Sequence, residues 1–242
     1  MSDVVVDIKS KIFNAENGHT LPVIRDVRFQ VKSGQFVCLF GPSGTGKTTM
    51  LNLIAGIGGD FDGRIDILGS PTVGYVFQEP RLLPWLTVRQ NIALVVADHP
   101  DLAADVDELL RAVGLTEFAD TYPERLSLGM ARRVAIARAF VVKPDILLLD
   151  EPFVSLDAEN AMRLRKLLGD LWTSRPTTTL FVTHDMRDAV ELADRILFFS
   201  PRPARLERDV TIALPRPRNN VDDSIEKLAR ELERNSALPN QD

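Results

Sequence analysis

Three features of the 242-residue sequence predict an α/β fold on a mostly parallel sheet. Ile146–Leu149 is a continuous apolar run of strand length, as expected of a parallel strand covered on both faces. Strand and helix patterns alternate through the second half: Ile146–Leu149, helix over Ala158–Leu171, strand over Thr178–Val182, helix over Met186–Ala193, strand over Ile196–Phe199. The mostly apolar segment Gln35–Phe40 reads as a strand that runs into a glycine-rich loop. A helix over Thr48–Gly56 follows, with Met50, Leu51, Leu53 and Ile54 on its apolar face and Gly56 at its end.

The remaining elements attach to that core. Val4–Ile8 and Val23–Val31 read as short strands, expected to form an antiparallel β portion near the N-terminus. Lys32-Ser33-Gly34 and Asp62-Gly63 read as turns, the second leading into a strand at Arg64–Leu68. Val73–Phe77 is a further strand. Residues 84–142 are rich in helix signals and poor in strand signals. Leu86–Val96 is interrupted by Gln90 and Asn91. Asp101–Val113 carries Leu102, Val106, Leu109, Leu110 and Val113 at helical spacing, and Met130–Val142 stops before Pro144. This stretch is read as a helical subdomain inserted between two halves of the core. Residues 201–220, rich in Pro and Arg, read as loop. Residues 221–242 form a tail with a charged helix at Asp223–Glu233, where Asp223 and Glu226 give a capping signal.

Composition narrows the function. Apolar residues are 45% and charged residues 26% of the chain, ordinary for a globular protein. A net charge of −5 disfavours a general nucleic-acid binder, which needs a basic footprint. The single cysteine, Cys38, allows no internal disulfide. No run approaches the roughly 18 apolar residues of a membrane span, and the N-terminus has no signal-like apolar region. Service to a membrane would therefore go through another chain.

Gly41-Pro42-Ser43-Gly44-Thr45-Gly46-Lys47-Thr48 matches G-x-x-x-x-G-K-[ST], with a strand before it and a helix after it, so the core is read as a P-loop NTPase core. The glycines let successive N–H groups turn toward phosphate oxygens, and the helix start adds a positive end. Lys47 is expected on the β- and γ-phosphates and the Thr48 hydroxyl on Mg²⁺, with Thr49 completing the loop. Asp150-Glu151 stands at the C-terminal end of the apolar strand, where open α/β sheets bind ligands. Asp150 would serve the Mg²⁺ shell and Glu151 would orient the attacking water. Alternatively the pair is two surface acids at a strand end. A second carboxylate directly after the first favours hydrolysis over phosphoryl transfer.

Further motifs follow in order: Gln78 after the strand at Val73–Phe77, Leu126-Ser127-Leu128-Gly129-Met130, Ser155-Leu156-Asp157, and His184. With the phosphate loop, they resemble the glutamine loop, signature, aspartate loop and histidine loop of the ATP-binding cassette (ABC) ATPases, over roughly residues 4–215. That resemblance implies a head-to-tail dimer with two ATP molecules between the cassettes. It implies that Gln78 contacts Mg²⁺ or the attacking water. Ser127 and Gly129 would contact the γ-phosphate held by the opposite subunit, and Asp157 would cross the interface. His184 would steady the γ-phosphate, Glu151 and water, and Phe13 would stack on adenine. Taken alone, without that resemblance, Phe13 reads as core, Gln78 as a loop amide, and His184-Asp185 as an ordinary helix start.

The signature departs from the family's Leu-Ser-Gly-Gly-Gln at Leu128 and Met130. Leucine does not take a positive φ cheaply, and methionine lacks the amide donor. Either the site is active with altered geometry or a different partner cassette supplies a better signature; retained Gln78, Glu151 and His184 favour the first. The loop Glu79–Trp85 and the segments Met186–Arg195, Phe199–Arg205 and Leu214–Arg218 resemble the nitrate, sulfonate, taurine and bicarbonate branch of importer ATPases. This implies a subunit peripheral on the cytoplasmic face of a bacterial cell membrane. It would work with a second cassette, transmembrane permease subunits and an extracytoplasmic substrate-binding protein, and with no nucleic acid. Leu82, Leu83 and Trp85 would offer a docking surface to the permease, or else cap the local core. The ATPase domain is expected over 1–220, with the helical subdomain at about 84–142. An exporter or lipid-trafficking ATPase, or a soluble non-transport cassette protein, is the alternative.

Overall fold

The structure, a computed structural model, describes residues 2–14, 19–98, 103–218 and 223–236. Residues 3–67 form β1 (Val4–Asn14), β2 (Thr20–Val31), β3 (Phe36–Phe40), helix α1 (Lys47–Ile54) and β4 (Asp62–Ile67). Next come β5 (Val73–Val76), α2 (Val88–Ala93), α3 (Ala103–Ala112), α4 (Leu128–Val141), β6 (Ile146–Asp150) and α5 (Ala158–Ser174). The last segment holds β7 (Thr178–Thr183), α6 (Met186–Leu192), β8 (Arg195–Phe199), β9 (Leu206–Thr211) and α7 (Asp223–Ser236). The chain divides into two compact units, one of Asp3–Ile67 with Leu180–Asp242, the other of Met1–Ser2 with Leu68–Thr179.

In the first unit, β2, β1 and β4 form an antiparallel sheet in that order. Alternation along β1 buries Val4, Val6 and Ile8 on one face. Beside this sheet, β7, β3, β8 and β9 follow one another, with β3 and β8 parallel and β8 and β9 antiparallel. Phe36 to Leu39 on β3 and Ile196 to Phe199 on β8 are buried, and Phe36 meets Phe181 edge-on with ring centroids 6.0 Å apart. Asp194 locks the entry to β3 and β8: its carboxylate accepts the Phe36 N–H at 2.9 Å and the Arg216 guanidinium at 2.8 Å. Helix α6 packs on β3 and on α7, whose Ile225, Ala229 and Leu232 are buried.

In the second unit, β5 and β6 pair in parallel, Val76 opposite Leu149. Ile146 to Leu149 are fully buried, as their unbroken apolar run predicts. The helices between them gather around Val88, Ile92, Val106, Leu110, Leu115, Val134 and Val141. Gln90 and Asn91 organise the start of α2. Thr87 and Gln90 form a capping box, each side chain accepting the other's backbone N–H. The buried Asn91 amide accepts the Leu83 N–H at 2.8 Å and donates to the carbonyls of Leu83, Leu86 and Thr87.

Two expectations are overturned. Leu206–Thr211, inside the stretch read as loop, is strand β9. Its pairing with β8 is reinforced by the Arg195 guanidinium, which binds the Asp209 carboxylate, so the charged run Glu207-Arg208-Asp209 lies within a genuine strand. Asp62-Gly63 opens β4 and is not a turn. Gly63, at φ +132°, faces Ile8 of β1, and a Cβ there would lie 2.2 Å from the Asp7 carbonyl oxygen. The first strands also run longer than read, and α4 starts two residues before Met130. Asp101 and Leu102, assigned to the third helix, lie outside the described residues.

Candidate functional site

In the first unit, β3 delivers the chain into residues 41–46 and α1 begins at Lys47. Gly44 and Gly46 take φ +76° and +119°. A Cβ on Gly46 would lie 2.7 Å from Val23 Cγ1, and one on Gly41 would lie 2.8 Å from the Phe199 carbonyl oxygen. Crowding therefore requires glycine at both positions, and at Gly46 the positive φ requires it as well. No side chain caps the start of α1 and no acid stands in its first turn, so its leading N–H groups present an anion-receptive end. The Lys47 ammonium is buried under the loop and donates to the carbonyls of Gly41 and Pro42, both at 2.7 Å. Thr45 Oγ1 also donates to Pro42 O. Pro42, Ser43, Gly44 and Thr48 are exposed, with Thr49 half-buried behind them.

His184 lies exposed between β7 and α6. Asp185 beside it is the N-cap of α6 and accepts the N–H groups of Arg187 and Asp188, so for Asp185 the helix-start reading holds. Cys38 on β3 is fully buried. Burial first, and the nearby Asp188 carboxylate second, push its thiol well above the usual range, with Lys47 opposing them. Phe13 sits near the end of β1 with 45% of its surface exposed, and the Lys11 ammonium stands 4.9 Å from its ring centroid. An exposed aromatic face carries the stacking chemistry proposed for it and departs from the core reading.

In the second unit, parallel pairing of β5 and β6 brings Gln78, Asp150 and Glu151 to one sheet edge. Asp150 is 2% exposed, Glu151 half-buried and Gln78 exposed. The loop after β5 is held from α4: Arg138 donates to the carbonyls of Pro80 at 2.7 Å and Arg81 at 2.9 Å. Arg81 in turn lies over Phe77, 4.0 Å from its centroid. Glu151 itself adopts φ +44°, a left-handed conformation unusual for a glutamate. The turn after it is tied down by Arg132 of α4, whose guanidinium donates to the carbonyls of Glu151 at 3.2 Å and Pro152. Burial lowers the basicity of Arg132, and the Glu151 charge offsets this in part. No motif in the sequence singles out Arg132. Its anchoring role follows from a tertiary contact that no local pattern reports.

The signature is the start of α4. Ser127 is its N-cap, with Oγ accepting the Met130 N–H at 3.2 Å. That uses an acceptor site and leaves the hydroxyl proton available to a ligand. Leu128 is the first helical residue, is 42% exposed and does not take a positive φ, so the conformational objection to leucine falls away. Met130 packs its side chain toward the helical core, filling space where glutamine would offer an amide. Gly129 is buried, and a Cβ there would lie 3.3 Å from Asn160 Oδ1. Asp157 caps α5 and holds Asn160 through both backbone and side chain; these bonds keep its carboxyl below the ordinary range. Of the apolar loop residues, Leu82 packs on the helical core while Trp85 is 68% exposed.

The sequence profile of the ABC transporter family matches residues 24–154. The chain is 40% identical over 236 residues to the aliphatic sulfonates import ATP-binding protein SsuB of Bacillus cereus (strain ATCC 10987 / NRS 248), covering 95% of this chain and 94% of that one. It is 39% identical to the protein of the same name from Bacillus subtilis (strain 168), covering 95% and 92%. Among solved structures it resembles the dimeric post-hydrolysis state of the ATP-binding cassette MJ0796 bound to ADP and Pi. The TM-score is 0.77 at 28% identity, over 89% of this chain and all of that one. The fold is accordingly that of a P-loop NTPase, with a mixed, mostly parallel sheet, antiparallel N-terminal strands and helical insertions. With a phosphate loop carrying an anion-receptive helix start, the chain belongs to the ABC transporter family as an ATP-binding, ATP-hydrolysing subunit.

Proposed function

We propose that this subunit energises a separate permease that imports a small anion, with an aliphatic sulfonate as the cargo. The observation that carries the cargo is the 40% identity, across 95% of the chain, to a protein named for import of aliphatic sulfonates. No helix among the described residues is long and apolar enough to cross a membrane, which supports docking to permease subunits at the cytoplasmic face. An extracytoplasmic binding protein would deliver the anion. The exposed Trp85 is the residue we place at the permease contact. We read 1–220 as the ATPase domain, about 84–142 as its helical subdomain, and 221–242 as a tail.

In this reading Phe13 stacks on adenine, and residues Gly41 to Thr49 hold the phosphates through backbone N–H groups and Lys47. Glu151 orients the attacking water, with His184 and Gln78 steadying it against the γ-phosphate. Two copies pair, which the dimeric state of the cassette MJ0796 supports, and in this reading they do so head to tail, so that Ser127 and Gly129 act on the partner's ATP. The Ser127 hydroxyl proton and the N–H groups at the start of α4 suit that task, because no acid stands in the helix's first turn. Among the described residues no cluster of three His, Cys, Asp or Glu side chains could cage a metal. Mg²⁺ carried on phosphate oxygens needs only one or two protein ligands and no such cage; in this reading Thr48, Asp150 and Gln78 are the residues that would hold it. Bound there, Mg²⁺ would neutralise charge on the β- and γ-phosphates.

Uptake is the test. Cells lacking the gene should lose accumulation of a labelled alkanesulfonate and regain it with the wild-type chain but not with Lys47→Ala. Unchanged sulfonate uptake in the deletion strain, in the absence of a second such transporter, would refute the cargo. Loss of efflux would instead favour an exporter.

A further inference from the structure

The segment Ser200–Arg205 follows β8 and is folded against the phosphate loop. Its ends are closed on each other: Ser200 donates its N–H to the Arg205 carbonyl, and Ser200 Oγ accepts the Arg205 N–H, both at 3.0 Å. Its back is stapled to β2, where Ala204 donates to the Val23 carbonyl at 2.8 Å and accepts the Arg25 N–H at 3.0 Å. Val23 is the residue that crowds Gly46, and Phe199, just before the segment, is the one that crowds Gly41. The segment thus connects to both ends of the phosphate loop. From its middle, Arg202 reaches the loop itself. Its Nε and Nη2 both donate to the Gly44 carbonyl oxygen, at 3.0 and 2.6 Å.

We infer that Arg202 is a positioning residue for nucleotide binding: it fixes the Gly44–Thr45 peptide so that the Thr45 N–H is aimed at the phosphates. The inference rests on the reading of residues 41–49 as the phosphate site. A trans peptide is planar, so its C=O and N–H point in opposite directions, and holding one aims the other. Gly44 is the place where aim is least secure, since its φ of +76° is a conformation glycine enters and leaves freely. The carbonyls of Gly41 and Pro42 are bound by the loop's own Lys47 and Thr45. The Gly44 carbonyl is bound from a separate segment, by two N–H groups of one guanidinium. The cation also adds favourable charge beside a site built for a polyanion.

The test is calorimetric titration of the full-length protein with ATP, ADP and AMP. Arg202→Met keeps length and removes the donors, so ATP and ADP should bind about tenfold more weakly, the scale of one lost charge-assisted hydrogen bond. AMP, which lacks the phosphates over the loop, should bind as to wild type. Arg202→Lys, with one cationic donor, should recover part of the loss. Wild-type ATP affinity in Arg202→Met, or equal weakening for all three nucleotides, would overturn the inference. Lys47→Ala, titrated in parallel, separates the two levels. If it loses ATP while Arg202→Met does not, only the role of Arg202 falls. If it binds ATP like wild type, the phosphate-loop reading falls and this inference with it.

Discussion

Glu151 holds a backbone conformation that costs a non-glycine residue about 1–2 kcal/mol. The Arg132 bonds to the carbonyls of Glu151 and Pro152 are what oppose that cost. Glu151→Gln keeps the shape and removes the carboxylate, so steady-state hydrolysis should fall at least a hundredfold with ATP affinity retained; a wild-type rate would sink the assignment. Arg132→Met should lower the turnover number while leaving the ATP dissociation constant unchanged, because it disturbs the turn and not the phosphate loop. A lowered affinity with an unchanged turnover number would contradict this. Cys38 gives a third prediction, on pH. Its folded thiol ionises well above an unfolded one, so its contribution to stability is intact below the ordinary thiol value of about 8.5 and is lost as pH rises beyond it. Thiol reagents at pH 8 should label the unfolded protein quickly and the native protein only at the rate it opens; rapid native labelling would show that Cys38 is not sealed.

At the scale of elements, α4 is the organising helix. Ser127 caps its start, Arg132 holds the Glu151 turn, Arg133 donates to the Val113 carbonyl, and Arg138 holds the loop after Gln78. The sequence shows this helix and its motif plainly, because both are local patterns. It does not show which arginine reaches which carbonyl, because those partners lie tens of residues away. Strand β9 escaped the reading for a related cause: its polar alternate positions and its Pro- and Arg-rich flanks look like loop until the Arg195–Asp209 pair is seen across the ladder. Asn91 looked like an interruption of a helix and is in fact the bracket for residues 83–87. Asn91→Ala should therefore destabilise the protein by about 2–4 kcal/mol, since it strands several buried backbone groups at once. Denaturant unfolding with a lower midpoint and an unchanged slope would show it; a loss below about 0.5 kcal/mol would mean that water replaces the amide.

In the whole molecule, the phosphate loop and His184 belong to one compact unit, and Gln78, Asp150, Glu151 and Ser127 to the other. The family motifs are thus spread along nearly the whole chain, which is why family and fold are legible in the sequence. The cargo was less so, since residues that touch ATP say little about an anion carried by another subunit. The point most particular to this chain is its Leu-Ser-Leu-Gly-Met signature. This signature is expected to support hydrolysis in a homodimer, because Ser127 keeps its hydroxyl proton for a ligand and Leu128 sits in ordinary helical geometry. The direct measurement is ATP hydrolysis by the purified transporter, shown by mass to contain this cassette alone, with wild-type and Ser127→Arg chains compared. Ligand-stimulated hydrolysis in the wild type that is abolished by Ser127→Arg is the predicted result. A wild-type rate no higher than that of Ser127→Arg would contradict it.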